Sequence, residues 1–171
     1  PETLDSYNQA LGLQRALGNR QSEASTLNNL GVFSFNVGEW QKAVDYYNQG
    51  LSLIRELGDR RWEGMALNNI GLLYSQLGEN QKALEYYNQA LPLQRATGDR
   101  NTEAVTLQNI GTVCQSLGDV QQALAYYNQA LSLVRTLGDR RGEASMLKSI
   151  GTAYISLGEA QKALDFLNES L

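Results

Sequence analysis

The sequence predicts an all-α chain of antiparallel helix pairs, and three observations predict it. Glycines recur every forty residues: Gly31, Gly71, Gly111 and Gly151 form one series, Gly38, Gly78, Gly118 and Gly158 a second, and Gly18, Gly58, Gly98 and Gly138 a third. Residues 59–98 laid over 99–138 give 21 identities in 40 positions without a gap. Between the glycines, apolar residues return at helical spacing. A fixed period of this length marks a repeat architecture, in which each unit buries its apolar face against its neighbours.

The register runs through the whole chain, so a single array is expected, with no linker and no second domain. Residues 1–18 read as a partial unit holding only a second helix. Residues 19–58, 59–98 and 99–138 are three full repeats, and 139–171 a truncated fourth. Each repeat reads as helix A (59–77) and helix B (79–97). Gly58 and Gly78 fall just past periodic segments, where a left-handed residue stops a helix. Asn19, Asp59, Asp99 and Asp139 suit the N-cap of the next helix A. Glu39, Glu79, Asp119 and Glu159 put negative charge at the positive end of helix B, and Arg55, Arg95 and Arg135 put positive charge at its far end. Tight turns make consecutive helices antiparallel neighbours.

On a helical wheel, Ala66, Leu67, Ile70, Gly71, Leu73, Tyr74 and Leu77 share the core face of helix A. Gly71 costs about 1 kcal/mol of helix propensity relative to Ala, and its recurrence suggests close backbone approach of the paired helix. Helix B carries a wider apolar arc (Ala83, Leu84, Tyr86, Tyr87, Ala90, Leu91, Leu93), too wide for one partner, which is the physics of a solenoid. The paired tyrosines of each helix B read as core. Cys114 on the core stripe reads as a buried, inert thiol. Pro92 lies mid-helix on the outer side, where a local distortion is expected.

Composition removes whole classes of chemistry. The chain has 171 residues, no His and one Cys. General-base triads, disulfide frameworks and Cys/His metal sites are therefore not expected. Neither catalysis nor a cofactor or metal is expected, since the glycines serve as helix stops and packing contacts and not as a phosphate cradle. A net charge of −4 argues against a nucleic-acid surface. No apolar run reaches the ~20 residues of a membrane span and no signal peptide is visible, so a cytoplasmic location away from membranes is expected. The start, Pro1-Glu2-Thr3-Leu4, lacks an initiator Met and is expected to be an excerpt's edge.

Leu67-x2-Ile70-Gly71-x2-Tyr74, followed by Gly78, Ala83, Tyr87 and Ala90, resembles a tetratricopeptide repeat, whose signature is W-x2-L-G-x2-Y and then small and aromatic residues at fixed spacing. Leu27, Leu67, Leu107 and Leu147 stand in place of the Trp. Tyr74 and Tyr154 match the Tyr, which Ser34 and Cys114 replace. The forty-residue period, the Leu-Gly-Asp-Arg junctions and the Asn-Asn-Ile-Gly opening resemble a longer subclass. Kinesin light chains, Pins-type adaptors and bacterial arrays beside CHAT-type peptidase domains belong to it. The resemblance implies a right-handed superhelical solenoid, with helix A lining a concave groove.

On that resemblance the remaining stripe of helix A becomes a wall for a peptide or protein ligand. Asn29, Asn69, Asn109 and Ser149 form one series of rungs, and Asn28, Asn68, Gln108 and Lys148 the next. Each side-chain amide offers a donor and an acceptor, as a peptide group does. Val32, Phe35, Met65, Leu72, Val105 and Ile155 would supply apolar pockets, and Arg61 and Arg141 could meet acidic groups. The same amides also read as ordinary solvated polar residues. Few basic residues line the stripe, Lys148 alone at mid-helix, so a clamp for terminal carboxylates is not expected. Arg20, Arg60, Arg100 and Arg140, each three residues before Glu23, Glu63, Glu103 and Glu143, read as structural ion pairs.

The function expected is thus a scaffold for protein–protein interaction that binds an extended or helical peptide in the helix-A groove. The alternative is an architectural spacer of a larger signalling protein that packs end to end or against a neighbouring domain. Apolar residues at the last helix (Leu164, Phe166, Leu167, Leu171) suggest uncapped ends through which copies could associate.

Overall fold

The computed structural model describes residues 2–170, with side chains from Leu4 onward. Leu171, expected as an apolar end residue, and Pro1 lie outside the described residues. Among these, nine helices occur and no strand. In order they are α1 (Glu2–Ala16), α2 (Arg20–Asn36), α3 (Trp40–Leu57), α4 (Arg60–Gln76), α5 (Asn80–Thr97), α6 (Arg100–Ser116), α7 (Val120–Leu137), α8 (Arg140–Ser156) and α9 (Ala160–Glu169). The chain divides into two units, one ending at Leu93 and one beginning at Gln94.

The helix ends follow from local chemistry. Gly58 and Gly138 close α3 and α7 in left-handed geometry, φ 71° and 69°, where a Cβ would be strained. Asn19, Asp59, Asp99 and Asp139 cap α2, α4, α6 and α8 by accepting from the backbone N–H groups of Ser22, Trp62, Thr102 and Gly142. Each such cap contributes about 1 kcal/mol. Helix B begins differently. Asp119 caps α7 through Gln122 N–H, whereas Glu39 and Glu159 make no side-chain cap bond. Their longer side chains instead pair with Lys42 and Lys162, at 3.0 and 2.5 Å.

In the first unit α2 packs on α3 and α4 on α5. The core is a row of fully buried side chains: Leu27, Leu30, Ile54, Leu67, Ile70 and Leu73. In the second unit, α6 on α7 and α8 on α9 repeat the scheme around Leu107, Ile110, Tyr127, Leu147 and Ile150. The recurring mid-helix glycine makes room first for a side chain of the paired helix, an aromatic ring in three repeats, and at Gly151 also for backbone, with Ala163 O 3.3 Å from the would-be Cβ. A Cβ on Gly31, Gly71 or Gly111 would fall 2.6–2.7 Å from ring carbons of Tyr47, Tyr87 or Tyr127. In the last pair Leu167 takes the ring's place over Gly151, with Cγ 2.8 Å from the would-be Cβ.

That seat bears on the apolar last helix. Leu167 and Phe166 are half-buried by contacts with the preceding helix. Leu167 is packed over Gly151, and Phe166 stacks on Tyr154 at 5.5 Å and 12°. Of the three described apolar residues only Leu164 is well exposed, at 54%. Pro92 is exposed, as its wheel position requires, and α5 runs unbroken from Asn80 to Thr97. The ring therefore meets solvent, and the proline does not end the helix.

The Arg and Glu series form a joint at three repeat boundaries; at the fourth Glu143 is more exposed and receives Arg135 at 2.6 Å, with no pair to Arg140 among the described residues. Glu23 receives Arg15 at 2.8 Å and Arg20 at 3.6 Å; Glu63 receives Arg55 at 2.8 Å and Arg60 at 3.6 Å. In the second unit Glu103 receives Arg95 at 2.8 Å and Arg100 at 2.7 Å. Each of these three glutamates is buried and ties the last turn of one helix B to the first turn of the next helix A. The i,i+3 partner was legible from the sequence; the partner eight residues back was not. The arginines are about half exposed, which limits each pair to roughly 1 kcal/mol or less.

Candidate functional site: the helix-A wall

The helix-A face turned away from helix B is mixed in character. In the first unit Val32 and Met65 are 38% and 43% exposed, with Leu72 half-buried beside them. Phe35 is only partly open: it packs against the core and meets Trp40 edge-on at 5.4 Å. In the second unit the wall is more polar, with Gln108, Thr112, Arg141, Ser145 and Lys148, and with Val105 and Ile155 exposed at 48% and 58%.

The amide rungs do not stand free in a row. Asn69 Nδ2 donates to Asn28 Oδ1 at 3.4 Å. Gln108 Nε2 donates to Ser145 Oγ at 3.0 Å and Ser149 Oγ at 3.4 Å. Gln115, absent from the expected set, donates to Ser156 at 3.4 Å. A residue of one helix A thus bonds to the helix A of the following repeat, so a ligand must compete with these bonds or use their second lone pairs. Asn109, Asn68 and Arg61 also have partners within the protein. Asn68 departs furthest from expectation: it is 7% exposed and so is not a residue of the open wall. The wheel places it nearly opposite the core stripe, so its burial comes from contacts that the wheel of a single helix cannot show. Asn29, Lys148 and Arg141 are exposed.

Between α6 and α8 the wall opens into a pocket of about 340 Å³. Val134 and Met146, both buried, lie at its base with Val105 and Leu137 beside them, and Arg141 and Gln108 stand at its rim. Gly142 is part of the lining. The same position in the second repeat holds Trp62, whose indole is half-buried against the core.

Titration behaviour follows burial. Tyr47 is pushed up to about 12, and Tyr87 and Tyr127 move the same way because burial penalises the phenolate. Burial, followed by the nearby Asp119 carboxylate, raises the Cys114 thiol, which disfavours the reactive thiolate. Among the described residues no group of three or more His, Cys, Asp or Glu side chains could hold a metal, and no helix is long and apolar enough to cross a membrane.

Comparison with known proteins identifies the architecture. A family model described as tetratricopeptide repeat matches residues 22–96 and 102–171. No curated protein matches the sequence. Among solved structures the chain is similar to BtubC (BKLC) from P. vanneervenii, at 24% identity over 96% of this chain and 68% of that one, with a TM-score of 0.87. A kinesin light chain candidate of nearly identical TPR-like repeats from Podosopora anserina is similar at 17% identity, 99% and 84% coverage and TM-score 0.81. A Rap protein, solved in complex with Competence and Sporulation Factor, is similar at 18% identity, 98% and 47% coverage and TM-score 0.84. At such identities the likeness is one of fold.

Proposed function

Because the chain belongs to the tetratricopeptide repeat family, we propose that it is a protein-binding scaffold whose helix-A wall holds a peptide segment of another protein. The observation that carries this reading is the exposed wall itself. Met65, Val105 and Ile155 are between 43% and 58% exposed beside polar side chains at repeat spacing, on a face that helix B does not cover. Apolar contacts would supply affinity, and the exposed Asn29 with its neighbours would meet the ligand backbone. The complexed state of the similar Rap protein supports a binding role for such a fold.

Capture of bound protein by the wild-type chain, set beside Met65→Glu and Val105→Glu variants of equal helicity, tests the wall. Partners held by the wild type and lost by both variants are expected. Partners retained by both variants would move the binding surface elsewhere. A second reading, self-association through the terminal helices, draws on Leu13, Leu17 and Leu164, exposed at 65%, 80% and 54%. Sedimentation of the wild type against Leu13→Glu and Leu164→Glu separates the two readings.

A further inference from the structure

The pocket between α6 and α8 and the cations around it assign this wall a more specific ligand. The inference rests on the peptide-binding reading above. Two observations meet here. The first is the cavity of about 340 Å³ with its apolar lining of Val105, Val134, Leu137 and Met146. Gly142 keeps it open, where Trp62 stands at the corresponding position of the second repeat. A cavity of this size takes one apolar side chain up to the bulk of Leu, Met or Phe.

The second is charge. Arg141 at the rim and Lys148 on the same helix are exposed, and neither has an ion pair or side-chain hydrogen bond among the described residues. Arg61, by contrast, has a partner within the protein. Lys148 lies seven residues beyond Arg141, two turns on the same face and about 10 Å along the axis. The facing wall of α6 offers Asn101, Val105, Gln108 and Thr112, with no carboxylate among them. The one acidic group in the pocket lining, Asp139, is occupied in capping the N–H of Gly142. A chain of net charge −4 thus presents a locally cationic strip beside an apolar hole.

We propose that this strip binds an acidic peptide segment in which an apolar residue enters the pocket, a carboxylate next to it meets Arg141, and a second carboxylate meets Lys148. A segment in polyproline II geometry advances about 3.1 Å per residue and returns a side chain to the same face every third residue, so the second acid falls three residues after the first. The ligand pattern is apolar–acid–x–x–acid. It differs from a clamp for a terminal carboxylate, because both acids are side chains and the anchor is apolar.

The test uses the full chain and fluorescence anisotropy with the labelled peptide Gly-Ser-Leu-Glu-Gly-Ser-Glu-Gly. Its comparison peptides replace both Glu by Gln, or Leu by Gly. An exposed charge pair is worth up to about fivefold in affinity, so the Gln peptide is expected to bind between about two- and twenty-five-fold more weakly at low salt. The gap should shrink as salt rises. Arg141→Gln with Lys148→Gln should abolish the preference for Glu over Gln. Ser145→Trp, which fills the pocket mouth, should remove the advantage of Leu over Gly. Equal binding of the Glu and Gln peptides, or a preference that survives both charge substitutions, overturns the proposal. If Glu and Gln peptides bind equally and Val105→Glu abolishes both, the wall binds peptide and only this specificity is wrong. If no peptide binds while protein capture still depends on Met65 and Val105, the specificity again falls and the wall stands. Loss of both results refutes both readings.

Discussion

Replacing Gly71 by Ala is the most direct test of how these helix pairs are held together. On propensity alone, the change stabilises a helix interior by about 1 kcal/mol. The structure reverses the sign. The new methyl would lie 2.6 Å from Tyr87 Cε1, 2.7 Å from Cδ1 and 3.1 Å from Cζ. Carbon pairs rest at about 3.5–4.0 Å, so the ring must retreat by roughly 1 Å. It has little room to do so, because Tyr87 is fully buried among close-packed neighbours. Overpacking of this kind costs about 1–3 kcal/mol, which leaves a net loss of about 0–2 kcal/mol after the propensity gain. For a chain of this size that lowers Tm by up to roughly 8 °C, whereas an unhindered Gly→Ala would raise it. Gly12→Ala is the matched control, since Gly12 is helical and its Cβ would meet nothing within 4 Å. Thermal and urea unfolding should show Gly12→Ala neutral or stabilising and Gly71→Ala destabilising. In a double-mutant cycle, Tyr87→Ala should cancel most of the Gly71→Ala penalty. A Gly71→Ala protein as stable as Gly12→Ala would refute the ring-on-glycine account.

Two further outcomes follow from the tyrosines. Tyr127 Oη bonds to Gln115 Oε1 at 3.1 Å and Thr112 Oγ1 at 3.3 Å, while the buried Tyr87 Oη has no hydrogen-bond partner among the described residues. Tyr127→Phe should therefore cost about 1 kcal/mol and Tyr87→Phe nothing or less, as measured by urea unfolding. Burial holds Tyr47 up at about 12, and an unfolded tyrosine ionises near 10. Between those values the unfolded chain releases a proton that the folded chain keeps, so stability falls as pH rises through that window and is unaffected below it. Urea midpoints at about pH 9 and about pH 11 check the sign, and Tyr47→Phe should flatten the slope.

Much of the wall was legible because exposure on an amphipathic helix follows a 100° rotation per residue. That rule placed Met65, Val105 and Ile155 correctly in the open. It failed at Asn68, which the wheel places nearly opposite the core stripe and which is nonetheless buried, because burial there depends on contacts beyond its own helix. It also gave no hint that Asn28 and Gln108 would bond across to the following helix A. Those bonds join residues about forty apart in sequence, and helix-wheel geometry contains no such distance. The pocket beside Gly142 had a signal in the sequence, the Trp-to-Gly change between repeats, but its volume depends on the spacing of α6 and α8.

What the sequence determined alone is what local interactions determine: the forty-residue period, the helix limits, the Asn and Asp caps, the left-handed glycine stops and the core stripes. Each of these depends on groups within about four residues of one another, so the chain states them directly. Only the tertiary structure decided that Gly71 receives a tyrosine ring rather than a backbone, that Glu63 and Glu103 each hold two arginines, and that Leu167 packs inward. These depend on which faces meet once helices pair, and close packing resolves them at a scale of tenths of an ångström that residue spacing does not encode.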